Sequence, residues 1–286
     1  MKRLEDKHIA VIGSGVMAGA MIGALLKNQE LPPEQITASD PYPEQRELVK
    51  SKYGINVTSD NQEAVKDAEI VLLAVKPQVI QEVFLSLKGK IPSKGLVFSI
   101  VAGMPISTLQ KGLSHKAVIR AMPNTPAQIS AGMTVWTASS EVSESQRDQA
   151  RVILEAMGKE LFVGHEDALN MATAVSGTGP TYVFLLAEAL VDAAVHLGFS
   201  RRDARLIVLE TLKGSVNFAE QSDLHLAQLR NMVTSPGGTS AEAIYQLEKG
   251  GMRTILSKAV WAAYQKSQLL GKMAEHPPDA PLNIES

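Results

Sequence analysis

The chain has no cysteine among its 286 residues, which excludes disulfides, thiolate catalysis and a thiolate metal site. That fits a reducing cytoplasm, where the protein is expected to work. Its six histidines lie far apart and form no His-x-x-x-His pair, so no metal is expected. There is no basic block, and the formal net charge is −2, which argues against nucleic acid as a partner. The stretch Met1-Lys2-Arg3-Leu4-Glu5-Asp6-Lys7 is too short and too charged for a signal peptide, and no long apolar run follows before Gly13. The most apolar helical stretch, Thr181 to Leu197, carries Glu188, Asp192 and His196. A membrane span rarely tolerates these, so no membrane association is expected. Internal repeats and low-complexity segments are also missing.

What is present is an alternation of strands and helices in the first half. His8–Ile12, Gln35–Asp40, Gly54–Val57, Glu69–Val75, Gly95–Gly103, Ala117–Met122, Met133–Thr137 and Glu160–Val163 read as strands, several of them apolar throughout. Helical patterns separate most of them, and that order predicts a parallel sheet covered on both faces. Near His165 the character changes to helix alone. Ala168–Val175 starts a helix, Ser176-Gly177-Thr178-Gly179-Pro180 is expected to interrupt it, and a new helix runs to Leu197. That helix is apolar nearly all round except for a stripe of Glu188, Asp192 and His196, so it is expected to be buried, either inside the monomer or against a second subunit. Ser200 is expected to cap the next helix. The tail His276–Pro281 is expected to fray. The fold class is therefore α/β for residues 1–165, a doubly wound and mostly parallel sheet, followed by an all-α domain over 166–286.

Two stretches carry chemistry. The first is Gly13-Ser14-Gly15-Val16-Met17-Ala18, between the first strand and a helix. This is the G-x-G-x-x-A dinucleotide fingerprint of a Rossmann domain, in which backbone approaches a pyrophosphate at a helix N-terminus. Asp40 follows about 20 residues on, at the end of the second strand, where it would accept hydrogen bonds from the adenosine ribose. An equal reading makes Asp40 a turn residue before Pro41. Ala74-Val75-Lys76-Pro77 and Val101-Ala102 leave later strands at the edge where such ligands bind. Lys76 reads equally as a solvated strand end. The second stretch is Val233-Thr234-Ser235-Pro236-Gly237-Gly238-Thr239-Ser240. Ser235 is expected to cap a helix beginning at Pro236, and two glycines in a first turn would cost about 1 kcal/mol each. A carboxylate held by the amides of Gly238 and Thr239, with hydroxyls of Ser235, Thr239 and Ser240 near, would offset that cost.

With Ala74–Pro77, Arg120-Ala121-Met122-Pro123-Asn124-Thr125-Pro126 and Val233–Thr239 in view, the chain resembles the pyrroline-5-carboxylate reductase family along nearly its whole length. The resemblance implies a helical domain that forms an intertwined homodimer, and in many members a ring-shaped decamer. It implies reduction of 1-pyrroline-5-carboxylate to L-proline by NADPH or NADH, with no His or Cys constellation required. It places Gly13–Ala18 on the pyrophosphate, Asp40 and Asn61 at the adenosine end, and Ser235, Gly238, Thr239 and Ser240 on the substrate, with the Ser240 hydroxyl at the ring nitrogen. Serine stands at position 240 where the family usually has threonine. Asp40 stands where members using NADP often have a small polar residue, so NADH is expected to serve at least comparably to NADPH. Two rivals are a related 3-hydroxy-acid dehydrogenase, for which Lys213 with Asn217 would supply the acid, and a non-catalytic regulator on the same fold.

Overall fold

Eight strands form one sheet in the order β3-β2-β1-β4-β5-β6-β7-β8. They are β1 (Ile9–Ile12), β2 (Ile36–Ser39), β3 (Asn56–Thr58), β4 (Ile70–Leu73), β5 (Leu96–Ser99), β6 (Val118–Met122), β7 (Gly132–Ala138) and β8 (Gly158–Phe162). The computed structural model describes residues 4, 6–28 and 31–275, so the expected fraying of His276–Pro281 lies outside the described residues. The order from β3 to β6 is that of a doubly wound dinucleotide fold, with its reversal between β1 and β4.

Alternate residues of the central strands go to opposite cores. Ile9 and Val11 of β1, Ile70 and Leu72 of β4, and Leu96 and Phe98 of β5 lie in one. Ala10 and Ile12, Val71 and Leu73, and Val97 lie in the other. This is why these strands are apolar without alternation: both faces are covered. The helices on the two faces are α1 (Val16–Asn28), α2 (Pro43–Tyr53), α3 (Asn61–Val65), α4 (Ile80–Leu87), α5 (Ile106–Leu113) and α6 (Glu144–Glu155). Their starts follow local chemistry. Pro43 opens α2, Asp60 accepts from Gln62 N–H ahead of α3, and Ser143 and Gln146 form a capping box on α6.

The sheet departs from the parallel expectation at one place. β6 and β7 are antiparallel, with Arg120 opposite Thr137. Only a short turn over Thr125–Ile129 lies between them, and a parallel crossover needs a dozen or more residues. β7 and β8 are parallel again across α6.

The helices of the second half are α7 (Ala168–Ala172), α8 (Gly179–His196), α9 (Arg201–Glu220), α10 (Leu226–Met232), α11 (Thr239–Lys249) and α12 (Met252–Glu275). The expected interruption falls within Ser176–Pro180: Thr178 is a bend, and Pro180 stands in the first turn of α8. Residues Thr173–Gly177 form a π-helical turn, closed by Thr178 N–H on the Thr173 carbonyl at 2.8 Å, and α8 then starts at Gly179. Pro180 has no N–H to offer the Ser176 carbonyl, and Asn124 Nδ2 donates to that oxygen at 3.3 Å instead. Ser200 caps α9 as expected, accepting from Asp203 N–H at 3.1 Å.

The chain divides into two compact units. One runs to Thr178 and takes up the chain again from Ala263, and the other is Gly179–Ala262. In the first, the end of α12 is fastened by Tyr264 Oη–H to Asp167 at 3.1 Å, Ser267 Oγ–H to Asn170 at 3.0 Å, and Leu270 packed over Gly103. In the second, α8 packs on α9, yet Ala187 is its only buried residue. The interior-helix reading of α8 is therefore overturned: Val183, Phe184, Leu185 and Leu190 are all exposed on this chain.

Candidate active site

Gly13 leaves β1 with φ +84, a conformation that costs a residue with a Cβ. A Cβ there would also stand 2.8 Å from Val75 Cγ1. Its N–H donates to the Ser39 carbonyl at 2.8 Å, and Ala74 N–H donates to the Ile12 carbonyl at 2.9 Å, so the exits of β1, β2 and β4 are knitted together. Val75 and Pro77 are half-buried beside this loop, while Lys76 is exposed.

Gly15 is different. A Cβ on it would meet no atom within 4 Å, so the protein's own packing does not demand glycine there. Its bareness leaves open the space in front of α1, where Val16, Met17 and Ala18 present the first amides of the helix. Gly15 has no side chain to cap those donors. The residues present thus fit a pyrophosphate laid against backbone at the positive end of a helix. Ala18 and Gly19 are buried, and a Cβ on Gly19 would touch Tyr53 of α2 at 3.4 Å, which sets the close spacing of the two helices.

At the other end of the loop, Asp40 accepts from Ser14 N–H, Ser14 Oγ–H and Tyr42 N–H. Ser39 Oγ–H donates to Asn61 Oδ1 at 2.7 Å, and Asn61 Nδ2 donates to Ser86 at 3.0 Å, so Asn61 is fixed beside the exit of β2. Val101, past β5, is buried with its N–H on Ser99 Oγ, and Ala102 is half-buried beside it. Every cofactor residue expected from the sequence thus lies at the carboxyl edge of β1, β2, β4 or β5 or just beyond it. Sequence reasoning missed Gln45, whose amide donates to the Ser14 carbonyl; Arg46, which the sequence offers as a cation that could soften the repulsion of a 2′-phosphate by Asp40, donates to the Asp40 carbonyl at 2.7 Å. No sequence signal points to Gln45, an ordinary polar position on α2.

The second stretch folds differently from expectation. α11 begins at Thr239, not Pro236, and Gly238 is its N-cap. Ser235 caps nothing. Residues 235–238 form a tight turn in which Gly238 N–H donates to the Ser235 carbonyl at 3.0 Å. The glycines therefore cost no helix propensity, and the Gly238 amide is spent within the turn. Gly237 is glycine because its φ is +69. A Cβ on Gly238 would stand 2.4 Å from Ser235 Oγ. Among the described residues, the amides of Thr239 and Ser240, the first two of α11, have no backbone acceptor, and their hydroxyls flank them. This end of the helix can take a carboxylate.

The Lys213 and Asn217 pair of the hydroxy-acid reading sits on an exposed face of α9, with Lys213 Nζ 3.8 Å from Glu210. That is not the interior setting a lysine general acid needs.

Comparison with known proteins matches residues 166–270 to the family model described as pyrroline-5-carboxylate reductase dimerisation, and residues 8–103 to the one described as NADP oxidoreductase, coenzyme F420-dependent. The chain is 42% identical to the pyrroline-5-carboxylate reductase of a Synechocystis species over 93% of its own length and 98% of the relative's. It is 40% identical to the Pseudomonas aeruginosa pyrroline-5-carboxylate reductase, covering 94% and 98%. The structure of Plasmodium falciparum pyrroline carboxylate reductase with NADP bound superimposes with TM-score 0.86 at 30% identity, covering 93% of this chain and 99% of that one.

Proposed function

The chain belongs to the pyrroline-5-carboxylate reductase family, and from that premise we propose how its own residues reduce 1-pyrroline-5-carboxylate to L-proline, the last step of proline synthesis. The protein is an NAD(P)-dependent oxidoreductase acting on a C=N bond. Residues 1–165 bind the cofactor. Residues 166–286 hold the substrate and join two copies.

Gly13, Ser14 and Gly15, with the amides of Val16, Met17 and Ala18, hold the pyrophosphate. Asp40 and Asn61 lie at the adenosine end, and Ala74, Val75, Lys76, Pro77, Val101 and Ala102 line the path of the dinucleotide. When bound, the reduced nicotinamide supplies the hydride. The substrate's ring nitrogen, once protonated, makes the adjacent carbon a strong electrophile, so the protein need not supply a strong acid. It grips the carboxylate with the Thr239 and Ser240 amides, steadied by the Ser235 and Thr239 hydroxyls, and leaves Gly238 bare beneath it. Ser240 Oγ hydrogen-bonds the ring nitrogen. Catalysis then rests on proximity and on fixed dipoles. The observation that carries this reading is the pair of unengaged amides at the start of α11, directly after a turn with glycine at both 237 and 238.

The exposed apolar side chains of α8 support a homodimer through the helical region, and the family resemblance extends this to a decamer. The helix Ala168–His196 is long and apolar enough to cross a bilayer by length and composition, but the dimerisation match covers all of it. We assign its apolar face to a second copy rather than to lipid, and place the protein in the cytoplasm. The test is turnover of pyrroline-5-carboxylate by the purified protein with each nicotinamide cofactor, together with rescue of a proline auxotroph. Activity on a 3-hydroxy acid with none on the imine would overturn the reading.

A further inference from the structure

Glu166 lies between β8 and α7, yet its partners are far behind it in the chain. Its Oε1 accepts from Arg120 Nη1 of β6 at 2.8 Å and from Ile106 N–H, the first amide of α5, at 2.8 Å. Arg120 is 5% exposed, so its guanidinium meets this carboxylate out of bulk water. α5 has no cap of its own, because Pro105 stands at its N-cap with no side-chain hydrogen bond. Glu166 supplies that cap from 60 residues away.

The segment held in this way is the exit of β5. Val101–Met104 make a tight turn, with Met104 N–H on the Val101 carbonyl at 3.4 Å and Gly103 at φ +70. Its other side rests on α12. A Cβ on Gly103 would stand 3.1 Å from Leu270 Cβ, and one on Gly271 would stand 3.2 Å from the Gly103 carbonyl. This end of α12 is fastened close to Glu166 in sequence, by Tyr264 on Asp167 and Ser267 on Asn170. The turn is therefore held from two sides by residues outside the site expected from the sequence.

We propose that Glu166, braced by Arg120, is a positioning residue for hydride transfer, holding the turn after β5 against which the nicotinamide lies. The proposal rests on the reductase reading for its cofactor class. In the strand order β2-β1-β4-β5, a dinucleotide with its adenosine at β2 and its pyrophosphate at β1 carries its nicotinamide toward β5. Val101 and Ala102 are then the backbone beside the reacting ring. A shift of about 1 Å there costs about 100-fold in rate. Among the described residues, Glu166 bonds to neither the β1 nor the β2 exit, so its loss acts on one end of the cofactor.

The test compares NADH with ADP-ribose, which keeps the adenosine and pyrophosphate and lacks the nicotinamide. Calorimetry on the purified full-length protein gives both Kd values without turnover. Glu166→Ala is expected to weaken NADH about 10-fold and to leave ADP-ribose within about 2-fold, because only the nicotinamide end loses its seat. Its kcat is expected to fall about 10- to 100-fold. Removing one partner of a buried pair can also unfold a chain, so Glu166→Gln is the second variant. It keeps an oxygen for Ile106 N–H and Arg120 and removes only the charge. It is expected to move the ratio of the two Kd values the same way by about 3-fold. A purely structural Glu166 would lower the unfolding midpoint and move both Kd values together or neither. Equal losses for the two ligands in Glu166→Ala, or a ratio unmoved in Glu166→Gln where the alanine variant does not fold, overturns the proposal. Failure of the wild type to turn over pyrroline-5-carboxylate would sink the reductase reading while leaving the Kd ratio to decide this one.

Discussion

In the unit that holds the sheet, β4 buries all four of its residues, whereas in the unit from Gly179 to Ala262 helix α8 buries only Ala187 of its eighteen. Both segments are strongly apolar. The first unit buries most of its strand residues within one chain, through two cores that take alternate residues of β1, β4 and β5. The second displays Phe184, Leu185, Ile207, Val216 and Phe218 at its surface. Apolar composition predicts burial but not which partner supplies it. In one unit the partner is a layer of the same chain, and in the other a second copy is proposed.

The sharpest way to break that contrast is to cut one side chain on each side of it. Phe98 is fully buried in the middle of β5, and Phe98→Ala is expected to destabilise the protein by about 3–5 kcal/mol. Chemical denaturation with constant protein concentration measures it. Phe184→Asp changes a residue that is 65% exposed on this chain, so a monomer would lose almost nothing. If α8 meets a second copy, the same change is expected to weaken assembly by about 100-fold or more, the loss typical of a central aromatic anchor. Sedimentation across a concentration series reads this. An unchanged oligomer would remove α8 from the interface.

The contrast also explains what the sequence made legible. β1, β4 and β5 were readable because a strand buried on both faces is apolar without a break. The antiparallel turn from β6 to β7 was readable in principle, since nothing helical fits between Met122 and Gly132, but alternation of strand and helix elsewhere masked it. The break at Ser176–Pro180 was readable because Gly and Pro cluster there, but the π-turn before it was not. The π-turn absorbs the extra residue, and Asn124, 52 positions away, takes up a carbonyl that Pro180 cannot serve. No local rule can foresee a partner that remote. At the Ser235–Ser240 stretch the sequence reading puts the helix start three residues too early. The penalty for two glycines in a first turn was itself the sign that the helix begins after them.

Ser240→Ala asks whether chemistry is divided as the two units are. It is expected to lower kcat/KM about 10- to 100-fold, the worth of one hydrogen bond to a charged ring nitrogen. Cofactor affinity and assembly are expected to stay as in the wild type, because Ser240 contributes no side-chain cap to α11. Steady-state kinetics beside cofactor titration separates these. Unchanged kinetics would take the hydroxyl out of the site.

The smallest expected effect lies where the end of the chain returns to the first unit. Asp167 accepts from Asn170 and from Tyr264 of α12, and Tyr264 Oη in turn accepts from Gln268. The hydrogen bond from Asn170 is the main cause that holds the Asp167 carboxyl below its usual range, with Tyr264, Gln268 and His165 adding to it against some desolvation. A depressed carboxyl stabilises the fold above its unfolded pKa and loses that contribution as pH falls through the folded value. The loss therefore belongs below about pH 4. Tyr264 is shifted the other way, raised by desolvation first and by the Asp167 carboxylate next. A raised phenol favours the fold while neutral, so its contribution is whole below its usual pKa near 10 and fades as pH climbs above it. Both groups lie near solvent, which screens the interaction, so the slopes are shallow. Tyr264→Phe keeps the ring and removes the hydroxyl. It is expected to flatten the alkaline limb of the denaturation midpoint against pH completely and the acid limb partly, since Asn170 still holds Asp167. Asp167→Asn is expected to flatten the acid limb and soften the alkaline one. If each variant left both limbs as they are, this contact would not be fastening α12, and the Ser267–Asn170 hydrogen bond with the apolar seat of Leu270 over Gly103 would have to hold it.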